Sequence, residues 1–532
     1  MRRWAKYRFV WILEPAALFT AFSALYLTSL TRAYFFDAVS YAMRLKSFLY
    51  TGKQNALLHP HHLAHLPLGW LTHTILHKLG IMTDVLTSLQ VLSALSGAAG
   101  LMLFRTLLRG TGIRGIWLTA LVLLLGASQA YWFVSVDGLP YAPAMVGFML
   151  SLLAIQRFNR CPSWINALLI GSAVGLTGLL HQSHLLLMIG ALTAIALHKR
   201  RLPHLFYLGA GFFVTFLGVY GAVAYTALSI HSPHELYLWS SQYPRLGWWW
   251  DFDIIHNLLT DFRAVSKAFI TDPNPNLIRP GFDNLAVWFV VISTLAITGI
   301  VGLFTIFVTG IKRPGKDSRL VTTIITISYI GFFTIWCPGM QVFWSPIIAL
   351  VILMLAESVA CIGNVAKPIH ILPLITAGAL LVSNTIWGTI PRMQEERNPY
   401  LRTAQLLKEK SSKGDLVIVA GTGDNAQAEV YVPYFTDRRT VSLNTYLSRA
   451  HGVQPGLDRI RREIETTLHR GNTVYVFGDL FGCRPACIPL ERRYGITASQ
   501  INDFFSQFTD AEKPKPSERV IYALRPTHTD QH

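Results

Sequence analysis

Residues 83–136 read TDVLTSLQVLSALSGAAGLMLFRTLLRGTGIRGIWLTALVLLLGASQAYWFVSV, and residues 137–160 continue DGLPYAPAMVGFMLSLLAIQRFNR. Three apolar runs stand here, each close to the roughly 20 residues a helix needs to cross a bilayer. The connections between them differ. The first contains Arg105, Arg109 and Arg114, whereas the second, 137–139, has no Lys or Arg. Basic residues collect in cytoplasmic loops, so this stretch reads as part of a polytopic membrane chain with its inner and outer sides already marked.

Working outward, similar runs occur at 9–30, 83–104, 115–136, 140–157, 164–180, 183–198, 204–228, 284–311, 320–337, 343–362 and 369–390, about eleven spans. The pair 164–180 and 183–198 is short, with His181, Gln182 and His184 between its members, and one or both could be half-helices. The first run begins with Arg2, Arg3, Lys6 and Arg8, as a signal peptide would, but it contains Glu14 and Pro15 and lacks a small-x-small cleavage site. It therefore reads as a retained helix. With the N-terminus in the cytoplasm, the inner connections hold Arg157 and Arg160, Lys199 to Arg201, Lys312 to Arg319, and Lys367. The short outer connections 181–184 and 338–342 hold no Lys or Arg. The expected protein is mainly α, multi-pass in the plasma (inner) membrane. Residues 1–390 form the membrane module and 391–532 a domain outside the cytoplasm.

The charge balance agrees. The chain has 46 Lys+Arg against 29 Asp+Glu, a net +17, with only 14% charged residues where a soluble domain averages about 25%. Residues 1–390 hold 26 basic and 12 acidic side chains, so the excess lies among the apolar runs. That excludes a soluble enzyme, a disordered tail and a nucleic-acid binder, whose basic residues would line a soluble face.

Two outer loops are long, 31–82 and 229–283. Both mix apolar, aromatic and basic residues at helical spacing without the apolar density of a span, the pattern of helices lying in the headgroup layer. Trp248, Trp249 and Trp250 read first as an interfacial anchor. In the tail, Asp415–Ala420, Arg439–Leu443, Thr473–Gly478 and Val520–Leu524 read as strands, and 457–470 and 498–508 as helices, giving a small α/β domain. Gly421-Thr422-Gly423 lacks the third glycine of a dinucleotide loop and reads as a strand-to-helix turn. Cys483 and Cys487 are a disulfide candidate on the oxidising side, the alternative being two free thiols.

Acidic residues are scarce before residue 390, which draws attention to Asp37 beyond the first helix and Asp137 in the short second outer loop. A carboxylate desolvated at a membrane face gains basicity and can take a proton from a hydroxyl. The alternative for Asp37 is a helix cap. His59, His61, His62 and His65 lie in the sequence HPHHLAH. Three readings stay open for them: a divalent metal ion shared with Asp37 or Asp137, hydrogen bonding to phosphate or sugar, and plain packing. His181 and His184 could face the same cavity or close helix ends. Arg245, Arg263, Lys267 and Arg279 of the second long loop are candidates to hold a lipid phosphate, or else face headgroups.

The ordered combination resembles the GT-C glycosyltransferases that use polyprenyl-phosphate sugars, the group containing protein O-mannosyltransferases and lipid A aminoarabinose transferases. It rests on Asp37 in YFFDAVSYA, His59-Pro60 in the same loop, Asp137 in the second outer loop, two short helices at positions five and six, a long loop after the seventh helix and the tail with VPYFTDRRTVSLN at 432–444. The resemblance implies Asp37 as catalytic base and Asp137, His59 and His62 as acceptor- or metal-assisting residues. It implies Arg245, Lys267 and Arg279 as donor-phosphate ligands, with His61, His181 and His184 near the pocket. No second carboxylate follows Asp37, unlike members with a paired acidic motif, which weighs against a required divalent ion. The implied partners are the lipid bilayer, a polyprenyl-phosphate sugar donor and a glycan, lipid or protein acceptor. The different-class alternatives are a transporter or lipid flippase, against which stand the scarcity of ionisable residues inside the spans and the lack of a repeat, and a noncatalytic assembly partner.

Overall fold

The computed structural model describes residues 2–81, 83–198, 201–241, 247, 249–271, 292–293, 296–297, 299–304, 307–308, 317–362, 371–422, 426–450, 452–480, 487–508 and 521–524. They form two compact units, Met1–Thr31 with Arg44–Met393, and Arg32–Met43 with Gln394–His532.

In chain order the helices up to residue 269 are α1 (Arg2–Thr28), α2 (Phe36–Thr51), α3 (His65–Lys78), α4 (Val85–Gly110), α5 (Ile116–Ala127), α6 (Gln129–Val136), α7 (Tyr141–Arg160), α8 (Trp164–Leu180), α9 (Leu187–Ala196), α10 (Arg201–Phe212), α11 (Val219–Leu228), α12 (Pro233–Ser241) and α13 (Ile254–Phe269). Among the described residues six helices are long and apolar enough to cross a membrane: α4, α7, α10 continued through a π-turn into α11, Ser318–Ile335, Gln341–Ala360 and Leu372–Met393. A seventh is added if α5 and α6 count as one bent span. Eleven straight spans are therefore not what the described residues present. Helices α8 and Gln182–Ala196 are shorter than a full crossing, and the expected span 284–311 lies mostly outside the described residues.

The expected span 115–136 is not one rod. It bends by 62° at Ser128, whose backbone is extended. A break of this kind exposes backbone carbonyls inside the membrane, which need partners. Asn384, fully buried at the start of a π-turn, supplies them: its amide nitrogen donates to the carbonyls of Ala127 and Phe269, both at 2.8 Å, and its oxygen accepts from the Thr271 N–H at 2.8 Å. The same unit explains Glu14, the oddity of the first apolar run. Its carboxylate is paired with Arg105 at 2.7 Å and accepts from the Thr119 hydroxyl at 3.2 Å.

Helix α4 starts on Asp84, whose carboxylate accepts from the Thr87 N–H, the usual use of Asp at an N-cap. Helix α13 is inverted relative to a soluble helix. Its packed face carries Asn257, Asp261, Ala264 and Ala268, while Ile255, Leu258, Leu259 and Phe262 are exposed. An apolar face turned outward is the arrangement suited to lipid.

The second unit contains a four-stranded sheet of β1 (Leu416–Val419), β2 (Arg439–Ser442), β3 (Val474–Phe477) and β4 (Ile521–Leu524). The order is β2-β1-β3-β4, with β4 antiparallel and the other pairs parallel. Strand β1 alternates two apolar faces: Leu416 and Ile418 join Val441, Ile460 and Phe505, while Val417 and Val419 join Leu407, Ala428 and Val432. That double burial is why DLVIVA reads as a continuous apolar run. Helices Val453–His469 and Ala498–Ser506 fall where periodicity places them. Helix Ala428–Thr436 is hidden from sequence reading by Pro433 inside it.

Candidate active site

Asp37 occupies the first turn of α2 and belongs to the second unit. Ala38, Val39 and Ala42 beside it are fully buried, so this turn is packed rather than frayed. Part of Asp37 still meets solvent, yet burial of its carboxyl lifts the pKa from 3.8 to about 6. A helix N-terminus favours an anion, so desolvation here outweighs the dipole. The result is a carboxylate ionised at neutral pH but more basic than an exposed one.

The histidines gather in the first unit. His59 and His181 play the same local role: the imidazole Nδ1 of each accepts a backbone N–H at the start of a 3-10 turn, from His61 at 3.2 Å and from Ser183 at 3.3 Å. Pro60 presets the first of these turns. The two capped turns meet, with His62 and His181 ring centroids 4.5 Å apart and His59 stacked on His62 at 5.3 Å. The Ala64 N–H donates to the Leu179 carbonyl at 2.9 Å. His61 Nδ1 pairs with Gln182 Oε1 at 2.9 Å, and the Gln182 amide and Tyr220 hydroxyl donate to the Pro60 carbonyl at 3.0 and 3.2 Å. This sets the His61 proton on Nδ1. Tyr141 lies against His181 at 4.8 Å, and His184 bonds to the Tyr329 hydroxyl at 2.8 Å. Arg44 donates to the carbonyls of Ala56, Asn55 and Leu58, fixing the approach to His59. Gln182, Tyr220, Tyr329 and Arg44 carry no motif; only the position of Gln182 between two singled-out histidines pointed to it.

Asp137 is fully buried where α6 ends. Its Oδ1 accepts from the Gly138 N–H at 2.8 Å, and Arg392 faces it electrostatically. His65, also fully buried, lies near the Gly138 backbone, which places the turn at Asp137 close to the histidine turn. Among the described residues no three His, Cys, Asp or Glu side chains converge on a point where a metal ion could sit. The histidines pack ring to ring rather than aiming lone pairs at a common centre, and they do not fit such an ion.

Lys267 and Arg263 are exposed on α13. That helix is pinned by Asp261, whose carboxylate accepts from the Thr334 hydroxyl at 2.8 Å and the Gly339 N–H at 2.9 Å. Trp250 packs edge-on against Trp336 at 4.7 Å, and Trp249 is exposed. Arg245, Arg279, Trp248 and Cys483 lie outside the described residues, as does the Cys487 side chain, and with them the disulfide.

Burial, joined by repulsion from neighbouring histidines or Arg44, lowers the pKa values of His59, His62 and His181; burial alone lowers His61, and His65 falls to about 4. Each is neutral when folded at pH 7. Their contribution to stability is complete above the ordinary value of about 6.5. As pH falls below it, the unfolded chain takes up protons that the folded nest refuses, so stability declines toward the folded values. Asp37 opposes this, but as one group against five. The thermal midpoint of the purified protein in detergent should therefore fall between pH 7 and pH 5; a midpoint flat across that interval contradicts the buried neutral nest.

No protein-family model matches the chain, and no curated protein matches it. Among solved structures it is similar to ArnT from Cupriavidus metallidurans bound to undecaprenyl phosphate, with a TM-score of 0.60 at 12% identity over 89% of this chain and 94% of that one. It also matches the apo state of that protein over the same shares, with a TM-score of 0.43 and 13% identity. A likeness that spans most of both chains at so low an identity is one of backbone path. The fold of this chain is similar to that of ArnT.

Proposed function

We propose that this protein is an integral-membrane glycosyltransferase that moves a sugar from a polyprenyl-phosphate-linked donor to an acceptor hydroxyl, on the extracytoplasmic face. The fold shared with a protein crystallised with undecaprenyl phosphate supports the donor class. The observation that carries the chemistry is Asp37, lifted to about 6 by burial. A base at that value is ionised at neutral pH yet strong enough to assist.

In the proposed step the acceptor oxygen attacks the anomeric carbon from the face opposite the phosphate. The carbon–oxygen bond to phosphate breaks, and its electron pair leaves on the polyprenyl phosphate. The hydroxyl proton passes to Asp37. Phosphate is a good leaving group, so one carboxylate suffices and the anomeric configuration inverts. For the donor phosphate we assign His59, partly exposed with the charge of Arg44 acting on it, and Lys267. Asp137 and the inner histidines are assigned to holding the loops rather than to touching substrate.

The test is incubation of the purified protein with a panel of polyprenyl-phosphate sugars, following free polyprenyl phosphate and sugar transfer. Release from at least one donor is expected; transport of a labelled substrate into liposomes with no bond broken would overturn the reading. A periplasmic-type reporter fused after His532 should be active, and a cytoplasmic result would refute the placement outside.

A further inference from the structure

The segment carrying Asp37 is held from the tail side of the sequence. Residues 32–35 precede α2 without regular structure, and two side chains bind their backbone. The Asn398 amide nitrogen donates to the Arg32 carbonyl at 2.8 Å and to the Tyr431 hydroxyl at 3.1 Å; that hydroxyl in turn donates to the Tyr34 carbonyl at 2.7 Å. Tyr431 is fully buried and Asn398 is 3% exposed. The other end of Asn398 is occupied too, its Oδ1 accepting from the Tyr400 and Leu401 N–H groups as the cap of helix Pro399–Lys410. The Tyr34 ring stacks on Phe435 at 5.8 Å.

Each hydrogen bond in this chain fixes the next. The cap sets the Asn398 plane, the plane sets the Tyr431 hydroxyl, and together they fix two carbonyls just ahead of Phe36, where α2 begins. From there to Asp37 the backbone is helical and has little freedom. The exposed Arg32–Glu395 pair at 3.7 Å adds little by comparison.

We infer that Asn398 and Tyr431 are positioning residues for the general base, setting the place of Asp37 through the backbone of Arg32 and Tyr34. The inference rests on the reading of Asp37 as base. It gives the tail a part in catalysis without any contact to substrate.

Two variants separate this from simple folding. Tyr431→Phe removes the hydroxyl and leaves the ring. Asn398→Asp keeps the helix cap, since Asp caps as well as Asn, but removes the donor and turns a carboxylate oxygen toward the Arg32 carbonyl. Full-length variants in detergent are assayed across pH with a polyprenyl-phosphate sugar, per folded molecule. Both should lose roughly 10-fold or more in kcat, as small misplacements of a reacting group do, with KM little changed. The midpoint of the pH profile should move down as Asp37 becomes better solvated. Unchanged kcat and midpoint per folded molecule, whatever the melting temperature, would overturn the inference. Asp37→Asn runs alongside: if it remains active, the base reading itself has failed; if it is inactive while both clamp variants match wild type, only the positioning role has failed.

Discussion

Asp37→Asn should reduce transfer by roughly 10²–10⁴-fold, the usual range for removing a positioned general base, while the protein remains folded in the membrane. The wild-type rate should climb tenfold per pH unit on the acid side and level off above about 6, where the carboxyl ionises; the variant should show no such limb. The same substitution should make the protein more stable. A carboxyl whose folded pKa is raised binds its proton more tightly in the native state, so ionising it costs stability. The cost is absent below the unfolded value of 3.8 and complete above about 6. At neutral pH its removal is worth at most about 3 kcal/mol, less the share of the side chain that meets solvent. A rise in melting temperature at pH 7.5 that vanishes near pH 4, together with lost activity, is the signature of a group kept for function at the expense of the fold. Retained transfer by Asp37→Asn would sink the assignment.

How much of this was legible in the sequence depends on whether the information is local. The apolar runs, the alternation of arginine-rich and arginine-free connections and the β-branched strands of the tail are local, and α4, α7 and β1 to β3 lie where those patterns put them. The break at Ser128 was not legible, because 115–136 is apolar throughout and the group that permits the bend, Asn384, lies 257 positions from the Ala127 carbonyl it satisfies. The histidines announced themselves by clustering in HPHHLAH. Their arrangement did not, since the packing of His62 against His181 joins two loops that the sequence gives no reason to pair. The attachment of residues 32–43 to the tail was equally invisible. It is written only in Asn398 and Tyr431, an ordinary helix cap and an ordinary aromatic until the fold brings them to the backbone ahead of Asp37.

Asp137 tests the difference between a scarce residue and a reactive one. It attracted attention for the same reason as Asp37, a carboxylate at an outer loop of an apolar module, but its surroundings are opposite in kind. It is fully buried, its Oδ1 closes a tight turn through the Gly138 N–H, and its charge faces Arg392, which also lies over the Phe133 ring at 4.5 Å. Asp137→Ala should destabilise the fold, because it removes the buried acceptor of the Gly138 N–H and the charge that faces Arg392. The expected readouts are a sharply lower melting temperature and loss of the monodisperse peak in detergent. Asp137→Asn keeps the shape and the acceptor for Gly138, so it should be milder in stability and should retain activity per folded molecule. The double change Asp137→Ala with Arg392→Met should recover part of the loss, because it removes the stranded charge as well. If Asp137→Ala melts with wild type, the pairing is not a stability element; if Asp137→Asn folds normally but is inactive, Asp137 belongs with Asp37 in the chemistry.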